Sequence, residues 1–273
     1  MIEQFHRPAT IRETLALKAR FRNRSAFLAG GTWLNSRDSA EPPTHAISLG
    51  GLGLDRIALQ RGRVAIGAMC TLQQVIDAPK VPAALRMAAS QVASRNVRNI
   101  ATIGGHVASR LRFSDLIPTL ITLDADVVVA RPGGATTRPV ADYVARPVAG
   151  LITTIVLPKP PRGRMAAVRH LRASANSRSV VDAAVSFTVA RGVIHHPIIA
   201  LGGATTHAAR LTDIEAELDG QPPPALDDLQ ARVSRSVRPV PTPTASASFQ
   251  RYAAGAAVAL AFRDALRQKE ERS

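Results

Sequence analysis

The chain is 273 residues long, above the usual size of one domain, so two or three domains are expected. Its 46% hydrophobic content is enough for real cores, and with only 4% aromatic residues those cores must rest on Ala, Val, Leu and Ile. The single cysteine, Cys70, excludes an intrachain disulfide, a protein-only iron–sulfur cluster and a cysteine-rich zinc site, while the net charge of +15 is dispersed without a long basic run and reads as a solvated arginine-rich surface or a face for an acidic partner protein.

Thr10 and Glu13 stand at capping-box spacing before Leu15, Ala16 and Ala19, which predicts a short helix to Arg20. Ser25–Ala29 reads as a strand running into a first glycine loop, FLAGGTWLN, Phe27–Asn35. Ala46–Leu49 is a second short strand, and Ile57–Leu59 with Arg63–Ile66 form a hairpin around Arg61 and Gly62. Thr71 and Gln74 cap a helix to Asp77, and Pro82 opens a helix over Ala83–Ser94. The second glycine loop follows in RNIATIGGHVASRLRFSDL, Arg98–Leu116. Leu116–Leu123 reads as a helix, and Asp126–Ala130 and Leu151–Leu157 as strands. The charged, proline-rich stretch Leu157–Arg164 marks a domain boundary. Beyond it, Val180–Ala190 is a strand or a helix, and Val193–Leu201 is a strand ending in a third glycine turn, GGATTHAAR. Helices are expected over Thr212–Leu218, Leu226–Val237 and Ser248–Gln268, with proline loops at Gln221–Pro224 and Pro239–Pro243.

A Gly-Gly pair lets backbone come close to a bulky ligand, and the amides around it can hold an anion. Two such loops predict a two-sided cradle for an extended diphosphate cofactor. The common nucleotide motifs are absent. The nearest dinucleotide fingerprint, at Gly51, carries Arg56 where the third glycine belongs, and no Gly-Lys pair exists for a P-loop. There is no H-E-x-x-H and no G-x-S-x-G, and the adjacent His195 and His196 on a strand point to opposite faces and make a poor chelate. No metal ligand set and no catalytic side chain is assigned. The N-terminal MIEQFHRPAT lacks an apolar signal core, and Ala253–Phe262 is too short to cross a bilayer, so a soluble cytoplasmic protein is expected.

At the two loops, and in order along nearly the whole chain, the sequence resembles the FAD-binding subunit of the molybdenum hydroxylases, the group of xanthine dehydrogenase, carbon monoxide dehydrogenase and aldehyde oxidoreductase. The stretches that carry the resemblance are LAGGTWL, VAIGAMCTLQQV, the specific segment Ser94–Val129, LITTIVLP, SVVDAAVSFTVA, ALGGATTHAARLTDIEAELDG and SFQRYAAGAAVALAF. The resemblance implies an α+β fold: a two-lobed FAD-binding domain of the PCMH type over residues 1–160, with lobes of about 1–55 and 56–160, then an α+β C-terminal flavoprotein domain over 165–273. It implies that Leu28, Ala29, Gly30, Gly31, Thr32, Trp33 and Leu34 wrap the FAD pyrophosphate, that Thr102, Gly104 and Gly105 form the second loop, that Ser114 and Asp115 bond FAD hydroxyls, and that Ile152 supports the adenine side. Asp115 also reads as a simple helix N-cap. Three departures bear on the flavin: His106 follows the second Gly-Gly where Asn is usual, Arg112 replaces a proline, and His170 aligns loosely with a basic residue near the cofactor. Arg251 and Tyr252 fall where the family carries a Tyr-Arg pair, and a helix packing face explains them equally well.

The implied function is electron transfer. A large molybdopterin-binding subunit hydroxylates the substrate, a small subunit with 2Fe–2S clusters passes the electrons on, and FAD on this chain delivers them to NAD⁺, oxygen or another acceptor. No nucleic acid or membrane is involved. Two other classes compete: a stand-alone FAD oxidoreductase of the same fold, which needs a substrate base and often a covalent flavin link, and a basic non-enzymatic binding module, which would use aromatic residues in a basic context.

Overall fold

The protein is described here as a computed structural model covering residues 2–36, 43–172, 174, 177–242 and 245–270. Pro243 of the second proline loop and the last three residues of the mixed-charge C-terminus lie outside the described residues.

The N-terminal end builds a small parallel sheet. Strands β1 (Gln4–His6), β2 (Ser25–Leu28) and β3 (His45–Ser48) pair in the order β1-β3-β2, and helix α1 (Ile11–Phe21) makes the crossover from β1 to β2. Thr10 starts α1 as expected, its hydroxyl accepting the Glu13 amide at 3.1 Å while the Glu13 carboxylate accepts the Ala9 amide at 2.9 Å.

The second sheet is antiparallel. Strands β4 (Ile57–Gln60), β5 (Arg63–Gly67), β6 (Asp126–Arg131), β7 (Gly134–Pro139) and β8 (Leu151–Leu157) run in the order β4-β5-β8-β6-β7. Arg61 and Gly62 both take positive φ, 50° and 77°, as a two-residue hairpin turn requires. Helices α2 (Leu72–Asp77), α3 (Ala83–Ser90), α4 (Arg95–Arg98), α5 (Ile103–Ser109) and α6 (Ile117–Thr122) lie between β5 and β6, and α7 (Val140–Ala145) follows β7. Thr71 and Gln74 form the full capping box. The helix expected to reach Ser94 stops at Ser90, because Ala93 turns to φ 43° and Ser94 begins a new helix by capping Val97.

A third sheet closes the chain, with β9 (Met165–Arg172), β10 (Ser179–Ala190), β11 (Val193–Gly202) and β12 (Ala209–Arg210) in the order β12-β11-β10-β9, all antiparallel. Helices α8 (Thr212–Leu218), α9 (Leu226–Ser236) and α10 (Ala247–Glu270) follow. Helix α10 buries Ala254, Ala257, Val258, Ala261, Phe262 and Ala265 against this sheet and α9, with Phe262 stacked on Phe187 at 4.5 Å. Burying each of these two rings contributes about 1.5–3 kcal/mol. Helix α6, buried at every residue, covers the opposite face, where the Ser186 hydroxyl donates to the Thr122 carbonyl at 2.5 Å. Strand β10 is thus covered on both sides. That is why its sequence is a continuous apolar run rather than an alternation, and why strand and helix were indistinguishable from it.

Candidate functional site

The first glycine loop leaves β2 at Leu28. Gly30 is fixed by close approach: a Cβ there would sit 1.9 Å from the Ile100 carbonyl oxygen. Gly31 takes φ 70°, a conformation costly for any residue with a Cβ. The turn is closed by the Asn35 amide on the Gly31 carbonyl and the Ser36 amide on the Trp33 carbonyl, both at 2.9 Å. Among the described residues, the amides from Gly30 to Leu34 donate to no backbone carbonyl. A run of open amides beside glycine is an anion nest.

The second glycine pair is built differently, which corrects the expectation that the amides around both pairs are open to an anion. Gly104 and Gly105 lie in the first turn of α5, which follows the short helix α4. Thr102 is its N-cap. Every amide there is satisfied within the protein: Ile103 on the Cys70 carbonyl at 3.0 Å, Gly104 on the Ala68 carbonyl at 2.9 Å, and His106 on the Thr102 carbonyl at 2.9 Å. The Gly105 amide is accepted by the Thr102 hydroxyl at 3.1 Å. Gly104 is a packing residue, since a Cβ there would lie 2.5 Å from the Ala68 Cβ.

Asp115 enters from the turn before α6 and meets the C-terminal sheet. Its Oδ1 accepts the Ser179 hydroxyl at 2.6 Å, pairs with Arg172 Nη2 at 3.0 Å, and lies 3.5 Å from His170 Nδ1. That same imidazole nitrogen is held at 2.6 Å by Asp182 Oδ1. Burial alone would push the Asp115 carboxyl upward, but the neighbouring His170, the Ser179 hydroxyl and Arg172 outweigh it and hold Asp115 below the usual carboxylate range. Asp182 is fully buried and pushed up to about 6, by burial first and by the facing Asp115 as well. The oxygen and nitrogen atoms of Asp115, His170 and Asp182 lie within 4.8 Å of one another, a spacing compatible with a cation. The Arg172 guanidinium already supplies positive charge to Asp115.

These pieces surround one cavity of about 410 Å³, a size typical of small-molecule sites. Of the residues singled out in the sequence, Leu28, Ala29, Gly30, Gly31, Thr32, Trp33, Leu34, Thr102, Gly105, His106, Ser114 and Asp115 all line it. Gly104 and Ile152 do not: Gly104 seats α5 on Ala68, and Ile152 is buried in β8 opposite Val129. Arg112 turns away from the cavity, donating from Nε and Nη2 to the Gly203 carbonyl at 3.1 and 2.6 Å and from Nη2 to the Val240 carbonyl at 2.9 Å, while its own carbonyl accepts the Gly203 amide. Arg251 and Tyr252 are exposed and line a separate surface depression with Arg235 and Arg238.

Comparison with known proteins decides the family. Residues 1–160 match the model of the FAD binding domain in molybdopterin dehydrogenase, and residues 166–265 match that of the CO dehydrogenase flavoprotein C-terminal domain. The chain belongs to this family. Among relatives of this molybdopterin-dehydrogenase flavoprotein, the uncharacterized protein YgfM of Escherichia coli (strain K12) is 38% identical over 272 residues, covering 99% of each chain. The nicotinate dehydrogenase FAD-subunit of Eubacterium barkeri is 32% identical over 147 residues, covering 51% of this chain and 50% of the relative. Among solved structures, a carbon monoxide dehydrogenase from Hydrogenophaga pseudoflava superposes with a TM-score of 0.90 at 25% identity, covering 98% of both chains. The resemblance read from the sequence is therefore borne out, together with its two-part α+β architecture. FAD is the cofactor of this flavoprotein family. The cavity fits it. Its lining carries a row of amides without backbone partners and a carboxylate, and His106, also in the lining, has a buried Nε2 with no protein hydrogen-bond partner. Burial pushes the His106 imidazole below its ordinary pKa, so the ring is neutral near pH 7 and offers one donor and one acceptor. Among the described residues, no helix is long and apolar enough to cross a membrane.

The resemblance pointed to the C-terminal part of the chain near the cofactor only through His170, which does not line the cavity, and the residues there that do line it were missed. Arg172, Ser177 and Arg178 line the cavity, and the Arg178 guanidinium lies over Phe113 at 4.6 Å and over Trp33 at 5.7 Å from the ring centroids. The one available signal was Asp182, a lone carboxylate inside the apolar run SVVDAAVSF, which needs a buried partner.

Proposed function

We propose that this chain is the FAD-binding electron-transfer subunit of a multi-subunit, xanthine-dehydrogenase-like molybdenum hydroxylase. It takes electrons from partner iron–sulfur clusters and passes them through FAD to NAD⁺ or another acceptor. The observation that carries the reading is the run of open amides from Gly30 to Leu34 lining the same cavity of about 410 Å³ as Asp115. In this reading residues 1–160 form the FAD-binding domain, with lobes of about 1–55 and 56–160, and residues 165–273 form the C-terminal domain.

When bound, FAD supplies the redox chemistry, and the protein positions it. The amides of Gly30, Gly31, Thr32, Trp33 and Leu34 hold the pyrophosphate, with Leu28 and Ala29 shaping the entry. Ser114 and Asp115 bond hydroxyls, for which a carboxylate is a strong acceptor. Thr102 and Gly105 line the same cavity, His106 offers its neutral ring there, and Gly104 and Ile152 support the lining from behind. Substrate hydroxylation and the metal centres belong to other subunits: a large molybdopterin-binding chain and a small iron–sulfur chain. A lone cysteine gives this chain no ligand set for a cluster, and it fits a reducing compartment such as the cytoplasm.

The test is to purify a tagged copy from its own host. Yellow protein that carries companion subunits with molybdenum and iron supports the proposal. Colourless protein that binds no added FAD overturns it, and a yellow protein without companions identifies a stand-alone flavoprotein instead. Anaerobic bleaching of the flavin by NADH tests NAD as the acceptor, and unchanged absorbance removes NAD from the scheme.

A further inference from the structure

Asp115 sits on the N-terminal side of the cavity, yet the groups that grip its carboxylate come from β9 and β10. Arg172 and His170 are on β9, and Ser179 and Asp182 are on β10. Asp182 does not line the cavity, and its side chain is 1% exposed. Its role has to pass through its neighbours. The one it holds at 2.6 Å is His170, whose side chain is also 1% exposed, and it also meets Ser179 and Asp115 electrostatically.

A single N–H on His170 Nδ1 has two acceptors within reach, Asp182 Oδ1 at 2.6 Å and Asp115 Oδ1 at 3.5 Å. The shorter, charge-assisted bond takes the proton. As long as Asp182 engages the imidazole, Asp115 keeps Ser179 and Arg172 as its close partners, at 2.6 and 3.0 Å, both on Oδ1. Without Asp182 the imidazole N–H turns to Asp115, its other acceptor at 3.5 Å, and draws the carboxylate away from the cavity wall. A buried donor left unpaired is costly enough to drive that turn.

We infer that Asp182 is a positioning residue of the cofactor site, fixing the Asp115 carboxylate at the cavity wall by holding His170. The inference rests on the FAD reading above. It makes the C-terminal sheet part of the cofactor site through a side chain that never meets the cofactor.

The experiment measures FAD affinity on the full chain by flavin fluorescence titration, with circular dichroism and Tm as controls of folding. Asp182→Ala weakens FAD binding roughly tenfold, within the usual range for coupled neighbours. Asp182→Asn keeps an acceptor for Nδ1–H and restores affinity to within about threefold of wild type. In an Asp115→Asn background, Asp182→Ala adds less than about twofold, because its route to the cofactor is gone. A folded Asp182→Ala that binds like wild type overturns the inference. So does a folded Asp182→Asn as weak as Asp182→Ala, or a loss that multiplies fully with Asp115→Asn. If Asp182→Ala does not fold, His170→Leu replaces it in the same cycle, with His170→Gln as its conservative partner and the same outcomes. Wild type that binds no FAD overturns the functional reading and this inference together, whereas wild-type binding with multiplying losses overturns this inference alone.

Discussion

The two glycine pairs look alike in sequence and do different work in the fold. At Gly30–Gly31 the backbone turns outward, and the amides up to Leu34 find no backbone carbonyl among the described residues. At Gly104–Gly105 all amides are taken up inside, by Cys70, Ala68 and Thr102. The first pair leaves polar groups open for a ligand, and the second lets a helix start close against a neighbouring chain segment. A Gly-Gly pair therefore reports close backbone approach. Only the count of satisfied amides says whether the approaching group is a ligand or the protein itself.

The harshest way to break this comparison is Gly104→Val. Its Cβ would lie 2.5 Å from the Ala68 Cβ and 2.7 Å from the Ala68 carbonyl oxygen. Overpacking of about 3 kcal/mol lowers Tm by roughly 6–12 °C. Calorimetry without FAD checks it, and an unchanged Tm would show that the second pair is not a packing device. Gly31→Ala comes next. The positive φ of 70° strains alanine by about 1–2 kcal/mol, so FAD affinity falls by roughly fivefold or more while Tm drops only about 2–8 °C. If Gly31→Ala damaged Tm as much as Gly104→Val, the distinction between the loops would collapse. Thr102→Ala is milder. It removes the cap that takes the Gly105 amide at 3.1 Å, costing about 1 kcal/mol and about 2–4 °C in Tm.

The smallest effect is a contrast between two native probes. Trp33, the single tryptophan, stands in the first loop, and Cys70, the single cysteine, lies under the second with its carbonyl on Ile103. Added FAD should quench Trp33 emission directly. Cys70 is fully buried, and burial pushes its thiol up to about 11. At pH 8 it stays a thiol in the native state, and thiol reagents should reach it only as the fold opens. Labelling that outruns unfolding in a stopped-flow comparison would contradict a sealed second loop. Asp182 adds a pH window to the same stability measurements. A carboxyl raised to about 6 from 3.8 keeps its proton in the folded state after the unfolded chain has lost it. Its contribution to stability is therefore full below about 4 and declines as pH rises to about 6. Asp182→Asn should gain stability relative to wild type across that interval, as followed by Tm against pH.

Much of the fold was legible because local chemistry and burial agreed. The caps at Thr10 and Thr71 and the Arg61–Gly62 turn each act within a few residues, and all three stand as expected. Strand β7 was not legible, because Gly134–Pro139 sits at a sheet edge and is mostly exposed, so it carries no apolar pattern. Helix α5 was missed for a related reason: its first turn contains two glycines, and its start is signalled only by Thr102. The cavity wall from the first loop was visible in the sequence. The contribution of Arg172, Ser177 and Arg178 to the lining, and of Ser179 and Asp182 behind it, was not, since 64 residues separate Ser179 from the carboxylate it serves.

Arg112 carries a consequence of its own. One guanidinium spans the carbonyls of Gly203 and Val240, and the Gly203 amide returns a bond to the Arg112 carbonyl at 2.5 Å. This clasp lies immediately before Phe113, Ser114 and Asp115. A fragment truncated after residue 160 would leave that guanidinium stranded and the adjoining turn slack. The cavity proposed for FAD therefore depends on both parts of the chain. Expressed separately, its two halves should lose the shape proposed to hold FAD.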